Sequence, residues 1–409
     1  MTSWRLALLL GTAVAAGIGA WALVRPADTA DDAPRASPDT PSAVEDSLQE
    51  AANNLKAADG AVGHQREIAI EAARRRLRDL TLEAPRDPRV AFWSGMGAVF
   101  AKDEQGARAD HSRMRTLPGV TARDPAWRYL GAMIVLEFEP QKPEPALRAL
   151  RALQAEAPRY MPEPVDRAVY RALLQTAVVR VEPREAESVV QLVKEAVERA
   201  KDDPVRAVES RRMLAYAYSR AGRYVEAQEQ WEWLVERSEG QAADFLAGLG
   251  NGLAMQNQWE RAVEAFGRAL VLRAKGQAMR MDDPALDEIL LRRGNCYRLL
   301  GRTDLARADF EAHLATHPED HRAMYWLGTL FLDPLDEPER ARDHLEKARA
   351  LAPYCDSYLR LLLQVYEMRQ PDAAKAADLR KVIEEGADAR KKERERMGKE
   401  HREGRFICE

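Results

Sequence analysis

From Ser42 onward, apolar residues recur at three- and four-residue spacings, and each run stops at Gly, Pro, Asn or Asp before the next begins. No stretch keeps the period-two alternation of a half-buried strand, so the pattern predicts an all-α chain of paired helices. Segments 42–58 and 65–83 form an N-terminal pair within 42–87. Segments 165–180 and 183–200 are helical, with Pro183 opening the second. Leu362, Tyr366 and the helix through Val382 make a last, divergent pair within 356–386, followed by a charged tail over 387–409.

Between these ends the helical runs repeat. Leu214, Ala215, Tyr218, Gly222, Tyr224, Ala227 and Trp231 set a pattern of small and large positions. It returns as Leu249, Gly250, Leu253, Trp259, Ala262, Phe266 and Ala269, and again as Gly294, Tyr297, Gly301, Ala306, Phe310 and Pro318. A fourth copy has Leu327, Gly328, Phe331, Ala341, Leu345, Ala348 and Pro353, with one residue inserted in its turn. A small residue on the first helix lets the second approach; a large one on the second fills the space between neighbours. Glycine at the turn accepts the left-handed geometry that ends a helix, and proline stops the second helix. Weaker copies run through 88–207: Phe92, Trp93, Gly95 and Ala107, then Trp127, Leu130, Gly131, Ala146, Leu150 and Pro158.

This spacing resembles the tetratricopeptide repeat family, most closely over 208–355. The resemblance implies an α-solenoid of antiparallel helix pairs, in which neighbours bury what one pair cannot. It also implies that certain first-helix positions line a concave groove that contacts peptides. Those positions carry Arg212, Tyr216, Asn251, Arg292, Asn295, Arg298, Tyr325 and Thr329. Asparagine offers donor and acceptor to a peptide backbone, and arginine can grip carboxylates with two parallel bonds. The family's clamp for a terminal carboxylate is not reproduced, because the lysine–asparagine pairing within one first helix is missing. Three departures stand out. Arg293 occupies a usual leucine position, His313 a usual alanine position, and ten extra residues around Lys275 to Pro284 predict a longer helix or an added loop.

The N-terminal pattern differs. After a short lead, 1–5, residues 6–24 form a nineteen-residue run without a charge. As a helix it would span about 28 Å, close to the thickness of a bilayer core. Trp4 and Trp21 lie near its ends, where indoles favour the interface. A cleaved signal peptide is the alternative; its apolar region normally runs about 7–15 residues, so a retained single-pass anchor is preferred. Arg5 precedes the span, and Arg25 and Arg35 follow it among four aspartates. The expectation is that the repeats lie outside the cytoplasm, in the periplasm if the cell has two membranes. Residues 25–41, with Pro26, Pro34, Pro38 and Pro41, read as a semi-extended tether.

Charge narrows the partners. Charged residues make up 31% with a net of only −4, which removes the basic face that nucleic acid requires. Apolar residues at 46% suffice for a continuous core, so the chain is not disordered as a whole. Cys296, Cys355 and Cys408 form no C-x-x-C pair and read as free thiols. His313, His317 and His321 recur every four residues, but Pro318 breaks the helix between the second and third, so they read as surface or helix-end histidines and not as metal ligands. No nucleophile elbow, Walker loop or H-E-x-x-H stretch is present. The expected function is therefore a non-enzymatic membrane scaffold at the cell envelope, with protein partners and no cofactor, metal or small-molecule substrate. An accessory subunit of a membrane enzyme or translocation machine is the alternative, as is a secreted soluble repeat protein if the N-terminal segment is cleaved.

Overall fold

A computed structural model describes residues 42–60, 63–180, 185–278, 284–369, 372–386 and 391–392. The expected lead, membrane span and tether over 1–41 lie outside the described residues, as do Pro183, Cys408 and most of the charged tail. Among the described residues every regular element is helical, and none of these helices is long and apolar enough to cross a membrane. The chain divides into two compact units, with the division between Ala217 and Tyr218.

The first unit holds α1 (Ser42–Gly60), α2 (His64–Glu83), α3 (Pro88–Phe100), α4 (Glu104–Met114), α5 (Pro125–Phe138), α6 (Glu144–Glu156), α7 (Pro162–Val179), α8 (Ala186–Ala200) and most of α9 (Pro204–Arg220). Successive helices up to α8 pack as hairpins, and α3 also packs on α5, and α5 on α7. Aspartates start several of them. The Asp87 side chain accepts from the Arg89 amide and that of Asp124 from the Trp127 amide, each just before a proline at the first helical position. One core runs through the stack, including Leu55, Leu77, Phe92, Leu130, Leu150 and Leu173.

The second unit continues from the end of α9 with α10 (Tyr224–Arg237), α11 (Ala243–Ala254), α12 (Trp259–Ala274), a single turn α13 (Pro284–Asp287), α14 (Ile289–Leu299), α15 (Thr303–Thr316), α16 (His321–Leu332), α17 (Pro338–Leu351), α18 (Asp356–Gln364) and α19 (Ala373–Glu385). A π-helical turn, Val365–Arg369, extends α18 and buries Val365 and Tyr366. The hairpins α11/α12, α14/α15 and α16/α17 are the three later copies of the sequence repeat.

The small and large positions meet as the repeat logic requires. A Cβ built at Gly250 would lie 2.7 Å from the Phe266 ring, one at Gly294 2.8 Å from Phe310, and one at Gly328 2.6 Å from Leu345. Gly248 makes the same approach to Trp231, at 2.6 Å. Trp231, Phe266 and Phe310 are fully buried. The turn glycines Gly222 and Gly301 have φ of 71° and 70°, where a side chain would be strained.

Of the extra residues, read as a longer helix or an added loop, the structure describes those up to 278, and 279–283 lie outside the described residues. With 16 residues, α12 outruns the 14-residue α15. The added loop then turns at Gly276 and returns a backbone bond, with the Ala243 amide donating to the Gln277 carbonyl at 2.9 Å. Leu286 and Ile289 enter the core behind it.

Candidate functional site

The first helices of the second unit carry one polar stripe. Asn251, Asn295 and Thr329 each follow the close-approach glycine of their helix, Gly250, Gly294 and Gly328. Because side chains three and four apart share a helix face, Arg292, Asn295 and Arg298 line one face of α14. Neighbouring first helices touch, α11 with α14 and α14 with α16, so these stripes lie side by side. Arg212 and Tyr216, the other two positions predicted for the groove, lie in the first unit, where Arg212 is buried and Tyr216 half-buried.

The predicted residues take different partners. Arg292 donates from Nη2 to Glu288 Oε2 at 2.5 Å and from Nε at 3.1 Å. Its carboxylate is thus supplied by its own helix start, one turn back. Arg298 donates from Nε and Nη2 to Asn295 Oδ1, at 3.1 and 2.9 Å, and its guanidinium lies 4.2 Å over the Trp326 ring. Tyr325 packs on Trp326 and on Tyr358, both at 4.9 Å between ring centres. Thr329 donates to the Trp326 carbonyl of its own helix at 2.7 Å. The Asn251 side-chain oxygen is buried and accepts no hydrogen bond. Trp326 and Glu288 were not singled out by the spacing of repeats, yet they decide what the two arginines do. Glu288 was readable as an i, i+4 partner of Arg292.

A chain of charges runs beneath this face. His313 Nε2 meets Asp320 Oδ2 at 3.0 Å, Arg322 donates to Asp320 at 2.6 and 3.0 Å, and Arg322 reaches Glu288 at 3.0 Å. Asp320 also accepts from the Arg322 amide, at 2.9 Å, and so caps α16. Burial opposes the Asp320 charge, but the bonds from His313 and Arg322 outweigh it and hold the carboxyl far below the usual carboxylate range.

The histidines decide one alternative: of surface or helix-end, His313 takes the second, in the last turn of α15. His313 is not a surface residue: it is 1% exposed and stacks on His317 with ring centres 4.6 Å apart. His321 turns to the Tyr358 hydroxyl at 2.6 Å from Nδ1. The helix ends at Thr316, so the three rings point to separate partners. Among the described residues, no three His, Cys, Asp or Glu side chains gather as a metal site.

Arg293 also has a reason. It forms a two-bond pair with Asp309, at 2.8 and 2.7 Å, across the α14/α15 hairpin, and its guanidinium lies 5.5 Å from the Tyr297 ring centre. Those bonds to Asp309 raise the Arg293 pKa against the effect of burial. Restoring the usual leucine should therefore harm the fold. Arg293→Leu is expected to cost about 2 kcal/mol by stranding the buried Asp309 carboxylate, and Arg293→Leu with Asp309→Leu to recover most of it. Amide hydrogen exchange in α14 and α15 reads both. A single variant as protected as the parent would refute the pairing.

A family model described as tetratricopeptide repeat matches residues 288–320, which covers α14, its turn and α15. No curated protein matches the chain. Among solved structures, the apo form of RapI is similar over 84% of this chain and 99% of its own, with a TM-score of 0.55 at 12% identity. MamA from Desulfovibrio magneticus RS-1 is 24% identical over 46% of this chain and 97% of its own, with a TM-score of 0.39. YrrB, described as a TPR protein with an unusual peptide-binding site, is 19% identical over 52% of this chain and 97% of its own, with a TM-score of 0.37. The likeness to RapI speaks for the fold alone; the other two are too distant to carry weight. The chain thus contains a tetratricopeptide repeat and carries it among stacked helix pairs.

Proposed function

We propose that the chain is a non-enzymatic scaffold, held at a membrane by residues 6–24, that recruits protein partners at the cell envelope through the first-helix face of its second unit. Arg298 carries this reading: a half-buried guanidinium with no carboxylate among the described residues, on the stripe where the repeat pattern predicts a ligand. Repeats of this kind act by binding, and the catalytic groupings sought in the sequence are missing. The anchor and the tether over 25–41 add reach, keeping the stack near the membrane yet clear of it.

Topology tests the envelope part. In intact cells the repeats are expected to resist added protease, and in cells with an opened outer envelope they should be cut while a cytoplasmic control survives. Repeats that survive together with the control would place them in the cytoplasm and end that part of the proposal. A pull-down from membranes after cross-linking tests the recruiting part; recovery of no protein above the level of an anchor-only control would count against it.

A further inference from the structure

Arg298 differs from its neighbours in how it is balanced. Arg292 and Arg322 share Glu288, Arg322 also holds Asp320, and Arg293 holds Asp309. Arg298 meets a neutral amide instead. Both of its bonds, from Nε and Nη2, go to the single oxygen of Asn295. That uses one edge of the fork and leaves the Nη1–Nη2 edge, two parallel donors with the spacing of a carboxylate. The Arg298 side chain is only partly buried. The ring of Trp326, 4.2 Å away, fixes the plane of the guanidinium. With its oxygen committed, Asn295 has only its amide N–H groups to offer a ligand, and they are donors.

We propose that this shelf of Arg298, Asn295 and Trp326 binds the side-chain carboxylate of an Asp or Glu within a partner protein's segment. This rests on the scaffold reading above and names the chemistry of its ligand. Burial pushes the Arg298 pKa down, opposed only by Tyr325, so an incoming anion supplies the counter-charge that the fold withholds. The occupant passes through and does not end here, because polar and aromatic groups continue on both sides. Asn251 stands on the preceding first helix, and Tyr325 on the following one. Beside Trp326 the half-buried Tyr325 ring, 4.9 Å away, suits an aromatic or apolar residue next to the acid.

The test uses the full chain in detergent, labelled with 5-fluorotryptophan, with the Trp326 signal assigned through Trp326→Phe. The probe is the blocked peptide acetyl-Gly-Tyr-Glu-Tyr-Gly-amide. It is expected to shift the Trp326 signal saturably, and the Gln-for-Glu peptide to need at least about tenfold more for the same shift. Arg298→Met, which keeps the stem over Trp326, should abolish the difference between the two peptides. Arg298→Lys should weaken it, since an ammonium lacks the fork. Equal binding of both peptides, or unchanged discrimination in Arg298→Met, overturns the proposal. So does binding of a Gln peptide with a free C-terminus in preference to the blocked Glu peptide, because the site would then read a chain end. The scaffold reading fails separately: a membrane partner recovered equally by the parent and Arg298→Met chains leaves it standing and removes only the carboxylate shelf.

Discussion

Asp320→Ala is expected to lower the opening free energy of the amides in α15 and α16 by about 3–5 kcal/mol at neutral pH. One carboxylate closes three structures at once. It caps α16 through the Arg322 amide, holds the Arg322 guanidinium and receives His313. The charged side chains are nearly buried, at 10% exposure for Asp320 and 11% for Arg322, so solvent replaces little of what is lost. A carboxyl whose folded pKa is depressed contributes stability that is present above its unfolded value, near ~3.9, and is lost as the pH falls through the folded value. The gap between parent and variant should therefore be full at neutral pH and narrow progressively below about pH 4. Hydrogen exchange followed by mass spectrometry on the full chain gives the measurement helix by helix. An equal gap at pH 7 and at the acid limit would show that packing, not charge, is what the alanine removes.

The second large effect concerns the glycine–aromatic contact. Phe310→Ala removes a fully buried ring and is expected to cost about 3–5 kcal/mol. Gly294→Ala should cost about 1–3 kcal/mol, because its new methyl meets two atoms of that ring at 2.8 and 2.9 Å. The two are one contact, so they should not add. With Phe310→Leu in place, which offers a shorter side chain, Gly294→Ala should lose most of its own cost. Additive losses in the double variant would mean that the methyl strikes something else, with Asp309 Cβ at 3.2 Å the nearest alternative.

The hairpins over 208–355 were legible because their rule is local and recurs: Gly250, Gly294 and Gly328 against Phe266, Phe310 and Leu345. The N-terminal pair was legible from period alone. What escaped has a common cause. Arg293 departs from the repeat pattern, but its compensation, Asp309, sits on the opposite helix at a position that a family pattern leaves open. His313 reads as a surface or helix-end residue; the reason for its burial in the last turn of α15 escapes because its partner, Asp320, lies beyond the break at Pro318, and only the chain reversal brings them together. Arg298 and Trp326 are on neighbouring first helices, so their contact exists only once one hairpin has stacked on the next. Eight positions could be nominated for a groove from spacing. Which of them would already be satisfied by the protein itself, as Arg292 is, could not be read from spacing.

The crowding of glycine in α11 bears on the protein's birth at the ribosome. Gly248, Gly250 and Gly252 interrupt a twelve-residue helix. Each weakens an isolated helix by about 1 kcal/mol relative to alanine, and a helix so short is marginal even without them. Its order must come from neighbours: Trp231 against Gly248 from before, and Phe266 against Gly250 from after. As α11 leaves the exit tunnel, Trp231 is already out while Phe266 has yet to emerge, a delay of about a second or more at ~5–20 residues per second. In that interval Phe245, Leu246, Leu249 and Leu253 travel as uncovered apolar chain. A chaperone that catches this protein during translation should be found on that stretch, and should let go once α12 has emerged.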